Sequence, residues 1–325
     1  MKIAVYEARA DERRDLEAVA RELGLELAVT EKILDRESLC LAAGCGGITT
    51  LGQSRLDRDM LERVREAGIT LLSTRSIGYN HIDLEAAREL GIKVCNASYA
   101  PNGVADYTVM LILMLLRHYK PAMWRGHVND YSLAGLQGRE LRDLTVGVLG
   151  TGRIGRAVLE NLRGFGCRLL AYDTCPGALE GVEYTDLETL YASCDVISLH
   201  TPLLESTYHM IDGRALGRMK DGVILINCAR GELMDMTDMI RGVEEEKIGG
   251  LGLDVFEKEE GIYHRDRRSD IIKNREMAYL RQFPNVIMTQ HMAFYTDRAV
   301  SSMVRGGLEG IKRMSEGADW PQRLA

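Results

Sequence analysis

The first hundred residues alternate short apolar runs with segments whose apolar positions recur at helical spacing. The runs are KIAVYEA (2–8), LELAVT (25–30), GGITT (46–50), TLLSTRS (70–76) and KVCNA (93–97). Between them lie DERRDLEAVAREL (11–23), DRDMLERVREAG (57–68) and LEAARELG (84–91). Strand-length runs that take turns with amphipathic helices predict a parallel sheet with helices on its faces. A second series starts at Thr145 and passes through AYD, CDVISLH, GVILINCA and GLGLDVF to NVIMTQH, which makes six strand candidates. The pattern therefore predicts two doubly wound parallel-sheet α/β domains.

Between the two series, VADYTVMLILMLLRHYK is apolar nearly all round, with its longest apolar stretch at Val109–Leu116. That is far short of the roughly 20 residues needed to span a bilayer. It predicts a helix covered on several sides, packed between domains and offering a subunit contact as well. After Thr296 the amphipathic stretch AVSSMVRGGLEGIKRMSEG has no strand to follow it, so it can pack back onto the first domain. The boundary is placed at Tyr99-Ala100-Pro101. This gives a discontinuous domain of 1–99 plus 297–325 and a continuous one of 100–296.

The segment TVGVLGTGRIGRAVLENLRGFGCRLLAYD, Thr145 to Asp173, puts a strand, a glycine turn, a helix and a second strand ending in a carboxylate in one stretch. Gly150 permits the tight turn, Gly152 lets backbone approach a pyrophosphate, and Gly155 lets the helix lie close to the sheet. Arg153 and Ile154 start the helix, whose amides face the phosphates. Asp173 stands eighteen residues beyond Gly155, where a carboxylate accepts hydrogen bonds from the hydroxyls of an adenosine ribose. A phosphate on the 2′ oxygen would be repelled, so the expected cofactor is NAD.

Composition narrows the class. A net charge of −7 with interspersed signs gives no basic patch for nucleic acid, and points to small-molecule chemistry. The N-terminal MKIAVYEARADERR reads as a first strand and not a signal peptide, and the seven cysteines form no CxxC pair or metal spacing. A cytoplasmic protein without a metal site or membrane span is expected.

Ligands of open α/β sheets bind beyond the carboxyl ends of the strands. The residues there are His200-Thr201-Pro202, Asn227-Cys228-Ala229-Arg230-Gly231, Asp254 and Gln290-His291. Arg230 can hold a carboxylate or carbonyl oxygen with its planar fork, or simply pair with a nearby Asp. His291 can exchange a proton near neutrality, as can six other histidines in principle. Glu259 stands in the acidic run EKEEG, where a solvated charge is the default reading.

The order of GxGxxG, Arg, DVFExE and His followed by AFYT resembles the D-specific 2-hydroxyacid dehydrogenases, in particular their D-lactate dehydrogenase branch with its vancomycin-resistance relatives. STRSIGYNHID (Ser73–Asp83), NASYAPNGVADYTVMLIL (Asn96–Leu113), GTGRIGRAV, NCARGELMD, GLGLDVFEKEE and HMAFYT carry the resemblance over nearly the whole chain. It implies a Rossmann NAD-binding domain, a flavodoxin-like substrate domain and an active-site cleft between them. Arg230 would bind the 2-oxo acid carboxylate and polarise the keto oxygen. His291 would be the general acid, with Glu259 holding its tautomer and favouring its charged form. Asp254 would contact the nicotinamide side or help set the protonation of the Arg and His pair. Thr201, Pro202, Cys228 and Ala229 would line the cofactor. The amides of Ile77 and Gly78 would cradle the substrate carboxylate, with Tyr99 and Phe294 as pocket walls.

The leading expectation is an NAD-dependent D-lactate dehydrogenase acting on pyruvate as a homodimer. The alternatives are a reductase of larger 2-oxo acids, such as phenylpyruvate or branched-chain acids, and a non-catalytic NAD(H)-sensing protein. Two departures stand out: Gln290 replaces the usual Pro before the histidine, and Asp173 supplies an acid that the vancomycin-pathway relatives lack at the end of the second strand. The charged 257–279 segment is longer than in phosphoglycerate-type relatives, which favours the lactate branch.

Overall fold

A computed structural model describes residues 1–325. The chain opens with β1 (Lys2–Val5), α1 (Arg13–Leu23), β2 (Glu26–Val29), β3 (Gly47–Thr50), α2 (Arg58–Glu66), β4 (Leu71–Thr74), α3 (Leu84–Glu89) and β5 (Lys93–Asn96). These five strands form one parallel sheet in the order β2-β1-β3-β4-β5. β1, β3 and β4 are short and mostly enclosed, as expected for a sheet covered on both faces, while the edge strand β2 is half-buried to exposed. Asp57 and Asp83 cap α2 and α3 by accepting the N–H of Met60 and Ala86, worth about 1 kcal/mol each.

The second unit comprises α4 (Asn102–Leu116), α5 (Tyr119–His127), β6 (Thr145–Leu149), α6 (Arg153–Arg163), β7 (Arg168–Tyr172), β8 (Glu183–Tyr184), α7 (Leu187–Ser193), β9 (Val196–Leu199), α8 (Gly213–Arg218), β10 (Val223–Asn227), α9 (Met236–Glu244), β11 (Ile248–Leu253), α10 (Arg275–Leu280) and β12 (Val286–Met288). Its parallel sheet runs β12-β11-β10-β9-β6-β7-β8. Strand order reverses between β6 and β9, as in the doubly wound dinucleotide-binding folds. The sequence pattern gives six of these seven strands. The seventh, β8, is a two-residue pairing of Glu183 and Tyr184 with Leu170 and Ala171, too short to leave a hydrophobic signature.

The apolar helix α4 buries Val104, Ala105, Thr108, Val109, Leu111, Ile112, Leu115 and Leu116 within its own unit, against α6, β10 and β11. It stops at Leu116, because His118 takes a left-handed φ of 47° before α5 begins.

The last helix, α11 (Asp297–Ser315), returns to the first sheet. Its Val304, Leu308, Ile311 and Met314 share a core with Ile3, Val5, Leu16, Val19, Leu71 and Cys95. The compact units are Met1–Ala100 with Tyr295–Ala325, and Pro101–Phe294. Both divisions lie within two residues of those read from the sequence. No helix is long and apolar enough to cross a membrane.

Candidate active site

The glycine turn after β6 is built by close approach. Gly150 has φ 90°, and a Cβ there would lie 2.7 Å from His200 O and 2.9 Å from Thr201 N. The turn is thus packed into the point where β6 and β9 part. A Cβ on Gly155 would collide with Gly150 O, so α6 can come this near the sheet only without a side chain. Gly152 differs, because its missing side chain faces open space. The helices α7, α8, α9 and α10 are capped by Asp186, Asp212, Asp235 and Asn274, whereas α6 begins at Gly152 with no side-chain cap. Its first N–H groups are therefore available to an anion.

Asp173 follows β7 and accepts from Thr151 N (2.6 Å) and Thr151 Oγ1 (2.9 Å), and from Cys175 N (2.9 Å). Partial burial pushes its carboxyl up, but the Cys175 and Thr151 donors outweigh that and hold it below the usual range. A charged acceptor at this strand end, an uncapped helix and a glycine exposed beside it fit a dinucleotide with free ribose hydroxyls. Thr201, Pro202, Cys228 and Ala229 lie on the same edge, at the ends of β9 and β10. Burial raises the Cys228 thiol, which makes it a wall and not a nucleophile.

Two adjacent strands farther along, β11 presents the acidic segment. Glu259 accepts from Phe256 N (2.7 Å) through one oxygen and meets His291 Nδ1 (2.5 Å) through the other. Glu257 instead faces His209, at 3.2 Å, and Glu260 is exposed. The His291 and Glu259 side chains are 31% and 21% exposed, so the pair is half open to solvent. The ring of Phe294 stands edge-on to His291 with centroids 6.2 Å apart.

Asp254 explains how His291 is held. Its carboxylate is fully enclosed and accepts from Thr289 Oγ1 (2.6 Å), Met292 N (2.9 Å) and Ala293 N (2.8 Å), while its carbonyl accepts from His291 N (2.7 Å). The wrap forces His291 to a left-handed φ of 51°, a strained state that persists because neighbours over-determine it. The fully enclosed Asp254 carboxylate thus clamps the loop that carries the histidine. Gln290, the departure from Pro, is exposed on that loop.

Arg230 begins a short turn after β10. Asn227 fixes it from both sides, accepting from Ala229 N (3.0 Å) and donating to Arg230 O (2.7 Å). Gly231 lets it pass against the backbone of Phe256 and Glu257, where a Cβ would collide. The half-buried guanidinium bonds Ala229 O (2.6 Å) and pairs with no carboxylate, so the ordinary ion-pair reading is not realised. Among the competing histidines, His200 is half-buried, bonds Ser198 Oγ (2.8 Å) and is driven by desolvation to about 4, which makes it a poor proton donor. His209 is engaged by Asp235 and Glu257, and His118 by Gln137 O.

Sequence reasoning missed Asn227 and Thr289. Asn227 had a signal, an Asn at a strand end where Asx turns form. Thr289 had none.

In the first unit, Ile77 and Gly78 follow β4. Their carbonyls are taken by Asn96 Nδ2 and Ser76 Oγ, each at 2.7 Å, and no intrachain acceptor pairs with their N–H groups. Tyr99 is half-buried at the end of the segment after β5.

A profile described as D-isomer specific 2-hydroxyacid dehydrogenase, NAD binding domain, matches residues 109–293. The chain is 42% identical over 308 residues to an aromatic 2-oxoacid reductase of Clostridium sporogenes, covering 94% of this chain and 93% of that one. It is 37% identical to the D-lactate dehydrogenase of Escherichia coli over 100% of both. The crystal structure of D-lactate dehydrogenase with NAD+ from Lactobacillus jensenii matches with a TM-score of 0.85 at 30% identity, over 100% of both chains.

Proposed function

The chain belongs to the D-isomer specific 2-hydroxyacid dehydrogenases, and on that footing we propose that it reduces a 2-oxo acid to the D-2-hydroxy acid with NADH. The observation that carries this reading is the half-open His291–Glu259 pair, together with an arginine of the same unit that has no acidic partner. When bound, the nicotinamide supplies the hydride. Reduction builds negative charge on the keto oxygen, which the Arg230 fork stabilises while also holding the carboxylate. His291 gives its Nε2 proton to that oxygen. Glu259, at Nδ1, fixes which nitrogen faces the substrate. The free N–H groups of Ile77 and Gly78 receive the substrate carboxylate, and Tyr99 and Phe294 are further candidate substrate contacts. Retention of this whole set supports turnover over a sensing role.

Pyruvate, giving D-lactate, is the substrate we assign from the sequence. A larger aromatic acid is the second reading, favoured by the likeness to the clostridial aromatic 2-oxoacid reductase. Steady-state rates with NADH and a panel from pyruvate to phenylpyruvate decide between them. Chiral chromatography of the product tests the hand, and a predominantly L product overturns the assignment.

The proposal includes a homodimer in the cytoplasm. Seven unpaired thiols are in keeping with a reducing compartment. A groove along α4, lined by Val109, Met110, Leu113 and Met114, lies in the same unit as Trp124, Tyr131 and Leu133, which are 74%, 78% and 83% exposed. Apolar surface and apolar groove on one chain are what a self-complementary two-fold contact needs. Light scattering should give a dimer for the wild type and a monomer for Leu133→Asp with Trp124→Ala.

A further inference from the structure

The strand order of the first sheet reverses between β1 and β3. In open α/β sheets the crevice at such a point is the usual place for a ligand. Here it is filled by the chain's own side chains. Arg75, directly after β4, is completely enclosed, as is Glu12 in the turn after β1. The guanidinium meets Glu12 through Nε (2.9 Å) and Nη2 (3.1 Å). It also donates to Tyr6 O (3.0 Å), Thr49 O (3.3 Å) and Thr50 O (3.4 Å). Glu12 in turn accepts from Arg9 N (2.9 Å). One ion pair therefore ties together the carboxyl ends of β1, β3 and β4.

Burying two charges is costly, and a buried pair can often be replaced by apolar groups of similar volume with little loss of stability. Stability is thus a weak reason for this pair. Its geometry offers a better one. Arg75 is bonded to its neighbours on both sides, and the next residues are Ser76, Ile77 and Gly78, whose carbonyls are likewise fixed and whose amides are free. Beside it, Glu7 gathers the N–H groups of Leu51, Gln53 and Ser54 and the Ser54 hydroxyl. The loops after β1, β3 and β4 are held by enclosed charge.

We propose that the Arg75–Glu12 pair is a positioning device, which sets the 76–78 backbone so that its amides meet the carboxylate of the 2-oxo acid. The inference rests on the reading of the reaction given above. Neither residue touches substrate. Both act through the loop, so their loss weakens substrate binding and leaves the chemistry at Arg230 and His291 in place.

Two variants test this. Arg75→Met with Glu12→Leu removes both charges together. Gly307→Ala leaves the charges and presses on the pair from α11, because a Cβ there would lie 2.8 Å from Arg75 Cγ and 3.1 Å from Thr49 Oγ1. In each folded variant we expect KM for the 2-oxo acid to rise about tenfold or more, the scale of a small misplacement in a binding site. NADH affinity should be unchanged and kcat should stay within about threefold, the signature of lost uniform binding. A purely structural role lowers the active fraction instead, so a fall in kcat at unchanged KM overturns the proposal. If the double variant does not fold, Gly307→Ala decides alone, and an unaltered KM there overturns it. A wild type inactive toward every 2-oxo acid defeats the reaction reading and this inference with it, whereas an active wild type with unaltered KM in the variants defeats this inference only.

Discussion

The two sheets each reverse strand order once, and the two crevices that result are furnished in opposite ways. Between β6 and β9 side chains are withheld. Gly150 and Gly155 allow close packing, Gly152 faces open space and α6 is left uncapped. Between β1 and β3 the space is closed by Arg75 and Glu12, both fully enclosed, with Arg75 donating to the carbonyls around it and Glu12 accepting from Arg75 and Arg9 N. The same topology thus yields a place for a ligand where polar backbone groups lack partners, and a rigid corner where they have them. The contrast recurs in the ion pairs. Glu12–Arg75 is sealed and can exchange nothing with a ligand, while Glu259–His291 is 21% and 31% exposed and can move a proton.

If the open edge carries the chemistry, damage there should appear in kcat. The largest effect is expected for His291→Gln, a loss of about 10²–10⁴ in kcat, the usual worth of a positioned acid. NADH binding, measured by fluorescence, should survive because the glycine turn and Asp173 are untouched. Full turnover in this variant would put the proton donor elsewhere and break the contrast.

Arg230→Lys comes next. An ammonium keeps the charge but not the planar fork, so kcat should fall about 10²–10³-fold, with a rise in KM for the 2-oxo acid. Near-normal steady-state kinetics would mean that the fork is not used.

The cofactor crevice itself is sharpened by comparing NADH with NADPH. Asp173 is held as a carboxylate, so a 2′-phosphate meets lost hydrogen bonds and like charge, together about 2–4 kcal/mol, or roughly 30- to 1000-fold in kcat/KM. Equal values for the two cofactors would remove Asp173 from the site.

The smallest effect concerns the half-open pair. Reduction requires a protonated acid, so kcat/KM should fall as pH rises. Glu259→Gln swaps the carboxylate at His291 Nδ1 for an amide, a weaker acceptor that holds the ring less firmly, so kcat should fall about tenfold with NADH binding intact. An unchanged kcat would remove Glu259 from the positioning of the histidine.

The open crevice was legible in the sequence and the sealed one was not, for a physical reason. The glycine turn, its helix and Asp173 form one local stretch, recognisable from the spacing of its residues alone. Arg230 and His291 were found as residues at strand ends, with the family resemblance choosing them from several candidates. Arg75 and Glu12 lie 63 positions apart, each in a charged or polar run like many others, and only the sheet brings them together. Asp254 was noticed at its strand end, but its partners at 289–293 come from the loop after β12, so its clamping role was invisible. The break at His118 was missed because a left-handed residue other than glycine leaves no compositional mark.

The return of α11 to the first sheet also matters before the protein is finished. A chain leaving the ribosome makes β1 to β5 first, but Ile3, Val5, Leu71 and Cys95 are covered in part by Val304, Leu308, Ile311 and Met314. The entire second unit must be synthesised in between. During that interval one face of the nascent sheet is covered by α1 alone, and closing so long a loop is slow compared with folding the continuous unit. The second unit is therefore expected to fold first, with the early sheet dependent on holdase chaperones until the last helix emerges.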